Sequence, residues 1–150
     1  MSFDLSRKGS YAVRAMVALA ATRDGGLQKA RRIAADTAIP AAYLPQILGA
    51  LIRRGLVSSH AGPHGGYVLT REPDSISLLE IVEAVDGPLK SAECALRGGP
   101  CTPTDPCMLH HRWQGAQAAL VGQLAACSLA DLVEDDVSGE SPAGTPQVRP

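Results

Sequence analysis

Residues 29–70 read KARRIAADTAIPAAYLPQILGALIRRGLVSSHAGPHGGYVLT, and the apolar spacing within them changes from helical to alternating. Over 29–37, Ala30, Ile33 and Ala34 fall on one helical face while Arg31 and Arg32 fall on the other, which predicts a short helix. Ala38-Ile39-Pro40 reads as a tight turn. A second helix is predicted from near Ala42 to Arg54, with Leu44, Ile47, Leu48, Leu51 and Ile52 inward and Gly55 as its stop. Pro45 forces that helix to begin late, because an interior proline removes a hydrogen bond and clashes with the preceding turn. Leu56-Val-Ser-Ser59 and Tyr67-Val-Leu-Thr70 then read as two strands joined by the glycine-rich tip 60–66. Two short helices across a tight turn make a helix-turn-helix, and the hairpin after them makes it winged. A nucleotide-cradling loop is the poorer reading of Gly62 to Gly66, since no helix opens directly after these glycines.

The flanks extend this pattern. Over 5–21, Tyr11, Ala12, Ala15, Met16, Leu19 and Ala20 recur at helical spacing, and Gly25-Gly26 ends the run. Ser77-Leu-Leu-Glu80 is a capping box that opens a fourth helix through Ile81, Val82 and Val85 to Gly87-Pro88. Leu109, Trp113, Ala116, Leu120, Leu124 and Cys127 form an a/d-like stripe suited to a long helix that pairs with its copy in a homodimer. Residues 128–134 are expected to add a short helical turn. From 135 to 150 acids, Ser, Gly and Pro dominate, so this tail is expected to be disordered.

The expected fold class is therefore mainly α: a winged helix-turn-helix with a small β-hairpin wing, a cluster-binding loop and a long C-terminal dimerisation helix. Its organisation divides into a DNA-binding region over 1–72, a linker helix, ligand loop (88–111) and dimerisation helix over 73–134, and the tail.

Charge supports a polyanionic partner. Residues 1–72 carry ten Lys or Arg against four Asp or Glu, while 73–150 carry four against eleven, so halves of +6 and −7 lie behind a net charge of −1. No apolar run approaches the roughly 20 residues that a membrane span needs, and the N-terminus lacks a signal-peptide core, so a cytoplasmic protein is expected. Four cysteines in such a chain point to metal ligation or thiol redox chemistry rather than a disulfide framework.

Three of those cysteines form the chemistry-bearing motif. Cys94, Cys101, Cys107 and His110 fall within seventeen residues as C-x6-C-x5-C-x2-H, in a stretch broken by three prolines and two glycines. Thiolates and imidazole select zinc, copper or iron-sulfur clusters over hard cations. Paired C-x2-4-C knuckles, the usual mark of structural zinc, are absent from this loop. Iron-sulfur clusters accept wider spacings and occasional histidine, so a cluster is the favoured reading, with zinc and metal-free thiol redox as alternatives. His111 is the alternative to His110 as fourth ligand. Cys127 lies on the apolar stripe and reads as a small buried hydrophobe. An enzyme is not expected, because the chain shows no flavin or nucleotide motif and no Cys-x-x-Cys.

Several segments together resemble one bacterial family: RKGSYAVRAM (7–16), YLPQIL (43–48), RGLVSS (54–59), GPHGGY (62–67), IVEAVD (81–86) and the three-cysteine loop. Over about residues 3–134 the chain is similar to the winged-helix iron-sulfur regulators of the IscR/NsrR/RirA (Rrf) family. The resemblance implies a homodimeric transcription factor, in the main a repressor of a palindromic operator in double-stranded DNA. It implies cluster thiolates at Cys94, Cys101 and Cys107, with His110 as the ligand of the IscR-like branch. Some relatives complete the cluster with a carboxylate from the partner's first helix, but Ser10 and Arg14 stand at the matching positions here, which favours His110. A [2Fe-2S] centre is favoured and [4Fe-4S] is the alternative. Pro45 replaces the glutamate of the recognition helix, Ala61 replaces the arginine before the wing glycine, and the first cysteine spacing is one residue longer than in IscR-like relatives.

On this reading Ala42, Tyr43 and Gln46 reach base edges, glutamine being able to pair bidentately with adenine. Lys8, Arg31, Arg32, Arg53 and Arg54 meet phosphates, and His60 and His64 carry the wing to the minor groove. The signal is iron-sulfur supply, iron, nitric oxide or redox state, and a zinc-stabilised winged-helix regulator without sensing is the alternative.

Overall fold

A computed structural model describes residues 4–22, 25–89, 94, 96–97, 99 and 101–139. Its elements are α1 (Arg7–Ala20), α2 (Ala30–Thr37), α3 (Leu44–Arg53), β1 (Val57–His60), β2 (Gly66–Leu69), a 3-10 turn (Pro73–Ser75), α4 (Leu78–Asp86), α5 (His110–Ala126) and α6 (Leu129–Ser138). This is the mainly α winged-helix architecture that the apolar spacing predicts.

The core sits around α1. Ala12, Ala15 and Met16 on its inner face are fully buried, and α2, α3, α4 and α6 all pack against the helix. Ile33, Ile47, Leu48, Leu51, Leu56, Ile76, Ile81 and Leu129 close the same cluster. Helix α4, which the sequence assigns to the second region, therefore shares its core with the first.

Local chemistry explains the ends. Ser6 caps α1 by accepting from the Gly9 amide at 2.8 Å, and its hydroxyl donates to the Asp86 carboxylate at the end of α4. Ser77 and Glu80 form the expected capping box, and Arg71 adds an ion pair to Glu80 at 2.7 Å. Pro45 occupies the first turn of α3, where its missing N–H would have had no helical partner. Between α2 and α3 the turn is made by Ala38 at φ 54°, a left-handed conformation unusual for a residue with a side chain.

The wing is a two-stranded antiparallel hairpin, with Val57 opposite Leu69 and His60 opposite Gly66. All four strand ends lie one residue from their predicted bounds, so His60 and Gly66 belong to the strands and not to the tip. Gln28 pairs with Tyr67 through two backbone bonds of 2.9 and 2.8 Å, adding a short third edge. A Cβ on Gly66 would lie 2.6 Å from the Gln28 carbonyl, and one on Gly65 would overlap the His60 carbonyl, so only glycine permits this approach.

Two departures concern the C-terminal part. Rather than one short turn, α6 spans ten residues to Ser138, so positions 135–138 are helical and not disordered; residues 140–150 lie outside the described part. Ser128 and Asp131 form a second capping box, and Leu129 is fully buried with Leu132 packed beside the core. Cys127 is a half-buried residue just past α5 rather than a core residue on its stripe.

Candidate metal centre and nucleic-acid interface

The ligand loop runs from the end of α4 to the start of α5, and both anchors are fixed. At the far end of α5 the chain is clasped to the segment before α4, because Leu78 donates to the Cys127 carbonyl and Leu129 to the Ile76 carbonyl, each at 2.8 Å. The loop is thus held between an element packed on α1 and a long helix.

Within it, the sulfurs of Cys94, Cys101 and Cys107 all lie within 4.8 Å of one another. Cys94 and Cys107 are buried and their sulfurs are 3.3 Å apart, far beyond a disulfide bond, so all three are free thiols. Backbone amides point at them: Leu96 and Arg97 donate to the Cys94 sulfur at 3.4 Å each, and Cys107 donates to the Cys101 sulfur at 3.3 Å. Such N–H groups stabilise thiolate charge and tune any metal it binds.

The thiols are accordingly inequivalent. The Leu96 and Arg97 amides hold the Cys94 thiol down at about 7. The Cys107 amide pulls Cys101 the same way, but burial and the neighbouring thiols outweigh it and push Cys101 up. Cys127 lies apart from the three, and burial followed by Asp131 and Asp135 raises its thiol, which suits an inert side chain rather than a ligand. Arg97 also pairs with Asp105 at 2.8 Å across the loop.

His110 is the first residue of α5 and is buried, with its amide donating to the Cys107 carbonyl at 3.1 Å. Its ring meets that of His111 edge-on at 5.2 Å and lies outside the group formed by the three thiols. The geometry therefore brings together three of the four expected ligands. Spacing gave the cysteines; nothing in the sequence marked the amides of Leu96, Arg97 and Cys107 as sulfur partners.

Every residue expected at DNA is exposed: Lys8 on α1, Arg31 and Arg32 on α2, Ala42 and Tyr43 in the turn before α3, which begins at Leu44 and not near Ala42, Gln46 in its first turn, Arg53 at its end, and His60 and His64 on the wing. Arg32 is 3.5 Å from Asp36 and Arg54 is 3.7 Å from Glu83, both at the surface. Tyr43 packs its ring 6.0 Å from that of Tyr11, which itself lies under the Arg14 guanidinium at 5.0 Å. His60 shares a 3.3 Å hydrogen bond with the Ser58 hydroxyl.

The profile of the Rrf2 family, described as iron-dependent transcriptional regulator, matches residues 5–135. This chain belongs to the Rrf2 family. The HTH-type transcriptional regulator IscR of Escherichia coli O1:K1 is 37% identical over 139 residues, which cover 90% of this chain and 85% of that protein. Among solved structures, IscR of T. potens superposes with a TM-score of 0.75 at 29% identity, covering 96% of each chain. CymR, the global cysteine regulator of B. subtilis, gives a TM-score of 0.75 at 29% identity, covering 89% of this chain and 98% of its own. Like these Rrf2 proteins, the chain is a winged-helix, DNA-binding transcriptional regulator and not an enzyme. It carries a three-cysteine site able to hold a metal or cluster. No helix among the described residues is long and apolar enough to cross a membrane.

Proposed function

We propose that this Rrf2 protein is a cytoplasmic, homodimeric repressor whose DNA binding is governed by an iron-sulfur cluster on Cys94, Cys101, Cys107 and His110. The observation that carries the proposal is the convergence of three free thiols with three backbone amides directed at sulfur. This soft, amide-lined donor set fits a cluster, and [2Fe-2S] suits three thiolates with one imidazole. His110 completes the set by turning its buried ring toward the thiols. A bound cluster supplies redox- and nitric-oxide-sensitive bonds to the protein.

The chain's own residues transmit the change. The loop begins at Asp86, which bonds Ser6 at the head of α1, and ends at α5. A loop held closed fixes the angle between α5 and the winged helix, and a released loop frees it, shifting the dimer between DNA-competent and incompetent arrangements. Helix α5 pairs with its copy along Leu109, Trp113, Ala116, Leu120 and Leu124. Each winged domain places Ala42, Tyr43 and Gln46 at base edges, Lys8, Arg31, Arg32 and Arg53 at phosphates, and His60 and His64 at the minor groove of a palindromic site.

A second reading has one observation in its favour. A tetrahedral zinc with bonds of about 2.3 Å would set its sulfurs roughly 3.8 Å apart, close to the spacing of the three thiols here. A zinc site would stabilise the fold without sensing.

The test is binding of anaerobically purified protein to duplex DNA before and after exposure to nitric oxide or oxygen, across a salt series. Affinity is expected to change with cluster state and to fall by orders of magnitude between about 50 and 200 mM salt. Binding that ignores both oxidant and nitric oxide supports zinc, and binding that ignores salt contradicts the phosphate contacts.

A further inference from the structure

Lys29 occupies the N-cap position of α2 and makes no side-chain capping bond there. Both facts go against helix chemistry. Ser, Thr, Asp and Asn are favoured at an N-cap because their oxygens accept from the free amides, and a cation beside those amides opposes the helix dipole. A local rule broken at one half-buried position points to a gain elsewhere.

The ammonium shows where that gain lies. Lys29 Nζ donates to the Pro63 carbonyl at 2.6 Å, a short charge-assisted bond that crosses from the start of α2 to the wing tip. Pro63 and His64 are the central residues of the turn closed by the Gly65 amide on the Gly62 carbonyl at 3.0 Å, with Gly62 at φ 98°. The residue before Lys29 binds the wing as well: Gln28 is buried, forms two backbone bonds with Tyr67, and donates from its amide to the Ala18 carbonyl at 2.9 Å. Gln28 thus fastens β2 to α1 at Tyr67, one pair from the tip, while the turn 61–65 beyond it is held to the rest of the chain by Lys29 alone among the bonds described.

We infer that Lys29 is a positioning residue for the wing, giving up the cap of α2 to hold the tip at the height where His64 meets the minor groove. The inference rests on the DNA-binding reading proposed above. It assigns Lys29 no contact with DNA. Its charge serves to strengthen one bond to a backbone carbonyl, and the wing loses fewer conformations on binding because its tip is set beforehand.

The test is Lys29→Ser, with Lys29→Met as a second variant that neither caps nor reaches. The probes are a duplex enriched by the natural-sequence protein from a randomised pool, and an unselected duplex. Both variants are expected to bind the enriched duplex about tenfold more weakly, the loss of one charge-assisted bond, with the salt slope and the affinity for unselected duplex unchanged. Both variants lose the bond to Pro63, but Lys29→Ser gains a cap and is expected to melt about 3 °C above Lys29→Met while binding no better, so affinity does not follow stability. Amide exchange over 60–67 should quicken in both, with α3 unaffected. Equal weakening on both duplexes with a salt slope reduced by about one would make Lys29 a phosphate contact and overturn the inference. Affinity that rose and fell with Tm across the two variants would make it merely structural, and unchanged affinity and exchange would also overturn it. If the natural-sequence protein enriches no duplex, the DNA reading itself fails, and the exchange measurement alone decides whether Lys29 holds the wing.

Discussion

Helices α1 and α5 are of similar length, fourteen and seventeen residues, yet α1 buries five residues and α5 buries only the histidine at its first position. Helix α1 completes its packing inside the protomer, surrounded by four other helices. Along α5 the expected stripe is left half-covered or open, with Leu120 46% exposed. One region thus draws its order from apolar burial within the chain. On the function proposed above, the other takes its order from what it binds: a metal at the loop that starts α5, and a second copy along its length. This division suits a sensor, because a region stabilised by its ligand can change when the ligand changes while the DNA-reading region stays folded.

The sharpest way to break this contrast is Cys101→Ala. Iron content is expected to fall to near zero while the melting transition of the winged helix persists; retention of full metal by elemental analysis would show that Cys101 is not a ligand. Next, Leu120→Glu places a charge on the open stripe and is expected to shift the protein to monomers in light-scattering measurements, with circular dichroism unchanged. Leu48→Ala probes the other side of the comparison. Leu48 is 2% exposed in the core, so truncation should cost about 2–5 kcal/mol in urea unfolding and leave metal content per folded molecule unaffected.

A smaller effect is expected from Ser77→Ala, which removes half of the α4 capping box for about 1 kcal/mol. Burial opposes ionisation of Glu80, but the Ser77 amide, Arg71 and the Ser77 hydroxyl together hold its carboxyl below the ordinary value. A carboxyl lowered by folding contributes stability above its unfolded pKa and loses it as pH falls through the folded one. The gap between natural protein and Ser77→Ala should therefore narrow below about pH 4 in unfolding experiments by the share due to the hydroxyl–carboxylate bond, and persist by the share due to the non-titrating bond from the Glu80 amide to the Ser77 hydroxyl.

Legibility followed the same division. Helices α1 to α4 and the wing could be read because their apolar periods match the faces they bury, and Ser77 with Glu80 announced the start of α4. The end of α6 was missed because Glu134, Asp135 and Asp136 hid the apolar face of Leu129, Leu132 and Val133, although Ser128 and Asp131 carried the same box signal as Ser77 and Glu80. In the ligand loop the identities of the three thiols were legible from spacing, but their partners were not. A loop without period gives no register, so the amides on Cys94 and Cys101, the Arg97–Asp105 pair and the place of His110 outside the three thiols emerge only from the folded backbone.

The most direct test of the central claim is the iron, sulfide and zinc content of the anaerobically isolated protein, read together with its visible spectrum. Iron and acid-labile sulfide in equal amounts, with charge-transfer absorption that disappears in Cys101→Ala, is the predicted result. A colourless protein holding one zinc per protomer and no sulfide would contradict it.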